Sequence, residues 1–435
     1  MIMGKINTTN LHHPDSDSCD KDLNSINFSP QNSLVRNSLI ELSTFSSKKP
    51  LLLIVDYPAD TAGGGAVILR SLLRGQEREK VIWISLSGST TSNPTLWDGH
   101  LRLNQGSAGI MSPERRSIFW DSTWFAQRLA SEIQDIARER EAGGLWVVMH
   151  GAAVHVAAHL ARNCHLPMHI TVHDDPTSYV MRSKRRFMLA PLVERDFAFS
   201  LKKARSIDVV CEGMAQQYQC RYGVNCVIVH RGIDKGVEPG TTYDKSRLGL
   251  SIGMLGNTYS YEQLPILCQA IIEASKRIGV QGRVVIVGQG FGERLRRQFC
   301  GKLEIEVTDY LNETQAIERL RECFLLYLNY PFSRRCRVLR QTSFPTKLST
   351  YVMTSRPILM HVPDDSSVMP LAKNLGYITP WNTMEALDGA RILMKYWSDF
   401  ETQETLHTHA ERIRQQYYDL ASNRETLFRA LNSLA

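Results

Sequence analysis

Short apolar runs recur along this chain with helix-length segments between them, and that alternation constrains the fold more than any other feature. The first run, Leu51 to Asp56 (LLLIVD), starts directly after Pro50. It is continuous rather than alternating, which suits a strand buried on both faces. Similar runs follow at Val81 to Leu86, Leu145 to Met149, Met168 to Val172, Ile207 to Cys211 and Cys226 to Val229. Helical segments are expected between them, notably at Ser122 to Glu139, Ala152 to Arg162 and Gly213 to Tyr222. Strands that alternate with helices require right-handed crossovers and a parallel sheet.

A second series begins after residues 232–248, a stretch rich in Gly, Pro and charge that reads as a linker. Its strands are expected at Leu250 to Leu255, Arg283 to Val287, Leu303 to Val307, Leu325 to Asn329 and Pro357 to Val362. Its helices are expected at Glu262 to Ile278, Phe291 to Phe299, Glu313 to Glu322, Thr346 to Thr354 and Met384 to Trp397. The fold class is therefore α/β, with two Rossmann-like, doubly wound parallel-sheet domains facing across a cleft. The expected division is a disordered leader at 1–47, a first domain at 48–234, a linker at 235–248, a second domain at 249–400 and C-terminal helices at 401–435.

Composition narrows the class. In 435 residues, 43% are hydrophobic and 22% charged, which excludes global disorder. Nine scattered cysteines without a CxxC pair argue for reduced thiols in a cytosolic compartment. No run is apolar enough to span a membrane, and no secretory signal is read. The net charge of +7 is concentrated. From Arg182 to Arg205 eight basic residues meet two acids, Glu194 and Asp196. This is either a solvated helix face or a surface for anionic lipid head groups. A nucleic-acid partner is not expected, because no stacking platform or recognition motif accompanies the charge.

Several motifs carry chemistry. Gly63, Gly64 and Gly65 follow the first strand and precede a helix, which suits a phosphate or sugar contact or simply a tight turn. Gly288, Gln289, Gly290 and Gly292 form an incomplete dinucleotide fingerprint, and a sheet turn explains them. His150, His173 and His230 each follow an apolar run, at the edge where ligands collect in such sheets. Asp174 and Asp175 follow His173. His155 and His159 have metal-chelating spacing but lack the HExxH glutamate, so a plain helical pair is favoured and no metal is expected. Arg334, Arg335, Arg337, Arg340 and Lys347 lie in a segment without acids that leads into Phe344, Pro345, Thr346 and a helix start. That grouping suits a diphosphate.

The segment Ser343 to Pro363 (SFPTKLSTYVMTSRPILMHVP) resembles the nucleotide-sugar site of the GT-B glycosyltransferases, especially the retaining group related to glycosyltransferase family 4. The first strand with its GG loop agrees, as do Thr171 and His173, Cys211-Glu212-Gly213-Met214, and His230-Arg231-Gly232-Ile233-Asp234. The resemblance implies a cytoplasmic hexosyltransferase of polysaccharide biosynthesis; it is the charge of Arg182 to Arg205, where that run adheres to lipid rather than facing solvent, that would place it at the inner face of the membrane. The resemblance implies a nucleotide-diphosphate sugar donor, a glycan or lipid-linked acceptor and no cofactor. It places His173 beside the transferred sugar; its neighbours Asp174, the second catalytic candidate, and Asp175 either orient the ring or bind acceptor hydroxyls. It places Gly64, Gly65, Arg231, Arg334, Arg335, Arg340, Phe344, Pro345, Thr346, Lys347 and Thr350 around the donor. The family glutamate that holds the ribose hydroxyls falls at Thr350, and Gly256-Asn257-Thr258-Tyr259 stands where the usual Arg and Lys would be. Two rivals share the fold: a catalytically weak or inactive scaffold that binds a glycan or protein, and a nucleotide-sugar epimerase.

Overall fold

The computed structural model describes residues 48–59, 64–76, 78–86, 101–102, 124–181, 190–238, 243–256, 258–288, 291–375, 377–399 and 401–434. The leader at 1–47 lies outside them, as do Gly63, Arg182, Lys184, Arg185, Arg186, Gln289 and Gly290.

The first apolar series forms β1 (Leu51–Val55), β2 (Val81–Ser85), β3 (Leu101–Arg102), β4 (Gly144–Val148), β5 (Met168–Val172), β6 (Ser206–Val209) and β7 (Val227–Ile228). They make one parallel sheet in the order β3-β2-β1-β4-β5-β6-β7. In register, Leu51 of β1 faces Val81 on one side and Gly144 on the other. Every residue of β1, β4 and β5 is buried, as continuous apolar runs require when helices cover both faces.

The second series forms β8 (Leu250–Leu255), β9 (Gly282–Val287), β10 (Glu304–Val307), β11 (Leu325–Asn329), β12 (Ile358–His361) and β13 (Ile378–Trp381). This sheet is also parallel, in the order β10-β9-β8-β11-β12-β13. Two strands escaped the sequence reading, β3 and β13. The first has two residues, and the second (ITPW) carries Pro380, which an edge strand tolerates because it donates to no further neighbour.

The topology locates the ligand edge in each sheet. The strand order reverses between β1 and β4 in the first and between β8 and β11 in the second. Beyond the carboxyl ends of such strand pairs a crevice opens.

The chain crosses between the domains twice. On the return, the helix Gln403–Tyr417 packs Leu406, Ala410 and Ile413 into the second core. The helix Leu420–Asn432 then places Leu427, Phe428 and Leu431 against Leu51, Leu53, Trp83 and Trp146 of the first. Arg424 is buried there and donates to the carbonyls of Leu72, Ser71 and Arg74, closing the C-terminal end of the helix Gly64–Leu73. The two crossings are joined where Ile233 N–H donates to the Tyr418 carbonyl at 2.7 Å. Among the described residues no helix is long and apolar enough to cross a membrane.

Candidate active site in the interdomain cleft

At the first-domain switch point, Asp56 and Tyr57 follow β1, and His150 and Gly151 follow β4. Asp56 Oδ2 lies 3.6 Å from His150 Nδ1. The carboxylate favours the imidazolium and raises the His150 pKa. Gly151 has φ +53, and a Cβ there would collide with the Asp56 carboxylate, so only glycine allows the pair. The Tyr57 ring stands edge-on to His150 with centroids 5.8 Å apart.

His173 follows β5 and reaches the same edge. A Cβ on Gly65 would strike the Tyr57 hydroxyl and lie 2.9 Å from His173 Nδ1, so the glycine loop packs directly on both side chains. Burial lowers the His173 pKa and favours the neutral ring, opposed by the charges of Asp208 and Asp174. Asp174 is exposed. Its charge acts on His173, His150 and Tyr57, and on Tyr330 of the second domain.

Asp175 turns the other way. It is buried and accepts from Ser178 N–H at 2.7 Å and from the Tyr218 hydroxyl at 3.2 Å, which starts the helix Pro176–Met181. Beneath His173, Thr171 Oγ1 donates to Asp208 and accepts from Trp146 Nε1 at 2.8 Å. His169 bridges Asp208 and Ser206 at 2.7 and 2.8 Å. This buried network fixes the floor of the site.

The second-domain edge brings the donor candidates close. A Cβ on Gly64 would lie 2.9 Å from Thr346 Oγ1, so the two domains meet at this point. Phe344 packs its ring on His230 with centroids 4.6 Å apart, and Pro345 is buried. Burial lowers the His230 pKa to about 4, which keeps the ring neutral as interdomain packing rather than part of the His150 and His173 group. The Lys347 ammonium lies 5.8 Å from the Tyr259 ring centroid, and burial lowers its pKa to about 8. Tyr259 in turn stands edge-on to Tyr330 at 4.8 Å.

The basic run, acid-free in sequence, meets an acid in space. Arg340 is buried and bidentate to Asp365, with Nε to Oδ1 at 2.5 Å and Nη2 to Oδ2 at 2.8 Å, and it donates to the Ser333 carbonyl at 2.8 Å. Arg340 therefore braces the loop, whereas Arg334 and Arg335 are exposed.

Arg231 and Thr350 share one partner that the sequence did not reveal. Arg231 donates from both terminal nitrogens to Glu313 at 2.5 Å and reaches Ser349 Oγ at 3.1 Å. Thr350 Oγ1 donates to Glu313 Oε1 at 3.1 Å. A carboxylate thus stands beside Thr350 although the position itself lacks one. These bonds hold the Glu313 carboxyl below its ordinary pKa against its desolvation.

Other motifs are structural. The Cys211 to Met214 segment is an interdomain joint: a Cβ on Gly213 would collide with the Gln341 carbonyl, and Gln217 Nε2 donates to Gln341 Oε1 at 2.8 Å. His155 is buried on Asp196 at 2.8 Å. Among the described residues no three His, Cys, Asp or Glu side chains are grouped to hold a metal.

No family model and no curated protein sequence matches the chain. Solved structures do. Sucrose-phosphate synthase from Thermosynechococcus elongatus superposes with TM-score 0.64 at 11% identity, covering 89% of this chain and 100% of the other. Anabaena HepE in complex with UDP superposes with TM-score 0.62 at 14% identity, over 88% of this chain and 100% of the other. The fold is GT-B. A glycosyltransferase from Rickettsia africae shares it, with TM-score 0.59 at 14% identity and coverage of 89% and 99%. At these identities the likeness extends to the GT-B architecture and leaves the site of this chain to be argued from its own residues.

Proposed function

We propose that the chain is a glycosyltransferase that moves a hexose from a nucleotide sugar to a glycan or lipid-linked acceptor. The observation that carries this is the meeting of the two switch-point edges. Gly64 and Gly65 touch Thr346 on one side and Tyr57 and His173 on the other, so a ligand at the glycine loop contacts both domains at once. The similar structure of Anabaena HepE was solved with UDP, which supports a uridine diphosphate donor.

In this reading Lys347, with exposed Arg334 and Arg335, meets the charge that grows on the diphosphate as the sugar–phosphate bond breaks. Fixed cations that face developing charge stabilise the transition state more than the ground state. Glu313 takes the place the resemblance assigned to a glutamate at Thr350: its carboxylate is preset by Arg231 and Thr350 to accept donor hydroxyls. Neutral His173 hydrogen-bonds the transferred sugar, with Asp174 at its mouth. Reaction with retention and without a metal follows from the resemblance. The exposed Arg195, Lys202, Lys203 and Arg205 are the described part of the surface proposed to meet anionic lipid.

One observation favours a second reading. The grouping of Asp56, His150, His173 and Asp174 is the acidic and His-rich edge that a nucleotide-sugar epimerase would need. A thermal-shift and calorimetric panel of UDP- and GDP-sugars tests the donor, and product analysis separates the readings. Transfer predicts stabilisation by at least one nucleotide sugar and a glycosylated acceptor. An epimerised nucleotide sugar, or the free epimer released with UDP by water, would favour the epimerase, and no nucleotide affinity would favour the inactive scaffold.

A further inference from the structure

We propose that Arg231 is a positioning residue: from the chain that crosses between the domains it tethers two second-domain helices, and so holds the cleft at the angle where His173 faces the donor. The inference rests on the glycosyltransferase reading and adds what keeps the cleft in its working geometry.

The two glycine contacts across the cleft, Gly64 on Thr346 and Gly213 on the Gln341 carbonyl, are close packing. Such contacts stop the domains from closing further, but they do not stop them from opening. The Gln217–Gln341 bond resists opening only as a single bond between neutral amides. Arg231 supplies a stronger tether, because hydrogen bonds between ionised partners are roughly twice as strong as neutral ones.

Its base is fixed. The Gly232 N–H donates to Ser71 Oγ at 3.2 Å, near the C-terminal end of the helix Gly64–Leu73. A Cβ on Gly232 would collide with Leu420, and the Ile233 N–H donates to the Tyr418 carbonyl. On the other side His230 packs against Phe344, Tyr417 and Tyr418. The backbone at Arg231 is therefore held by the first domain and by the returning chain.

Its far end spans two helices. Both terminal nitrogens reach Glu313, the first residue of the helix Glu313–Arg321. One of them also reaches Ser349 Oγ, in the helix Lys347–Val352. Ser349 lies one turn beyond Thr346, so the helix that carries Lys347 meets Gly64 at its start and Arg231 a turn later. The Arg231 side chain is only 15% exposed, unlike a solvated surface pair. Lysine has no planar fork to make this set of bonds.

The experiment uses the full chain. Small-angle X-ray scattering reads the opening of the cleft without any reaction, and UDP-glucose turnover with a sugar acceptor gives kcat and KM. Arg231→Lys keeps a charge beside Glu313 and loses the fork. It should enlarge the radius of gyration and lower kcat about ten- to a hundredfold, the scale of a small misplacement of reacting groups, while donor KM stays within about threefold. Ser349→Ala removes one partner and no charge, and should shift both readouts the same way by less. An unchanged radius of gyration in both variants, or a lowered Tm with kcat per folded molecule intact, overturns the proposal. A natural chain without turnover, whose radius of gyration still grows in Arg231→Lys, would sink the glycosyltransferase reading and leave the tether standing.

Discussion

Gly64 of the first domain faces Thr346 of the second so closely that a methyl group on the glycine would lie 2.9 Å from the threonine hydroxyl. Two separately folded sheets therefore touch through a residue that has no side chain. Gly64→Val should force the loop away from Thr346 and open the donor side of the cleft. Overpacking of this kind costs about 1–3 kcal/mol of stability, and nucleotide affinity should fall by up to that amount if the closed cleft is what binds. Calorimetry with UDP checks it, and unchanged affinity would show that the cleft does not close on the ligand at this point.

Lys347 gives a prediction with a pH signature. Burial alone lowers its pKa to about 8, so the free protein loses this charge as pH rises through that value. An anionic ligand stabilises the protonated amine and raises its pKa. UDP affinity should therefore fall from pH 7 to pH 9, with proton uptake on binding near pH 8.5. Lys347→Ala should cost roughly 1.5–3 kcal/mol of UDP affinity and flatten that profile. A profile equally steep in the variant would remove Lys347 from the site.

The arginines of the basic loop should separate by experiment. Arg340 is buried on Asp365, so Arg340→Ala should lower Tm, at a cost of about 2–3 kcal/mol for lost charged hydrogen bonds. Arg334→Ala and Arg335→Ala should leave Tm unchanged and weaken UDP in a salt-dependent way, because both are exposed. The reverse pattern would reassign the phosphate grip to Arg340.

That contrast shows what the sequence could and could not carry. The two sheets were legible because buried parallel strands are continuous apolar runs, and Leu51 to Asp56 or Leu325 to Asn329 admit little else. The approach of Gly64 to Thr346 and of Gly65 to His173 fits their places at strand ends and helix starts. Asp365 was not, because it lies 25 residues beyond Arg340 and pairs with it only through the fold. Glu313 opens a helix whose Asn312 and Gln315 make an ordinary capping box, so nothing local marks it as the partner of Arg231 and Thr350. Tyr57 reads as a loop aromatic until the strand order puts it at the switch point.

The joint between the domains predicts an acid response. Desolvation pushes the Glu411 pKa up, but hydrogen bonds from Arg414, from the Val237 N–H at 3.0 Å and from Gln415 outweigh it and lower the pKa to about 2. A depressed carboxyl pKa contributes stability above the unfolded value, near 4.5, and that contribution is lost as pH falls toward 2. Glu411→Gln should lower Tm at pH 6 and flatten the decline of Tm below pH 4.5. Parallel curves for the two proteins would show that the joint does not depend on this charge.

The basic helix face should respond to salt. The full chain is expected to sediment with anionic vesicles at low ionic strength and to leave them in high salt, since exposed charges are screened beyond a Debye length of about 10 Å at 0.1 M. Indifference to vesicle charge would leave Lys202, Lys203 and Arg205 as a solvated surface.

The central claim is sugar transfer across the cleft with His173 at the reacting sugar. Its most direct test is the rate of UDP release from UDP-glucose in the presence of a sugar acceptor, measured for the natural chain and for His173→Ala with matched Tm and UDP affinity. The account predicts turnover in the natural chain and a loss of about 10²–10⁴-fold in the variant, the usual yield of a positioned polar group. Transfer that survives intact in well-folded His173→Ala would contradict it.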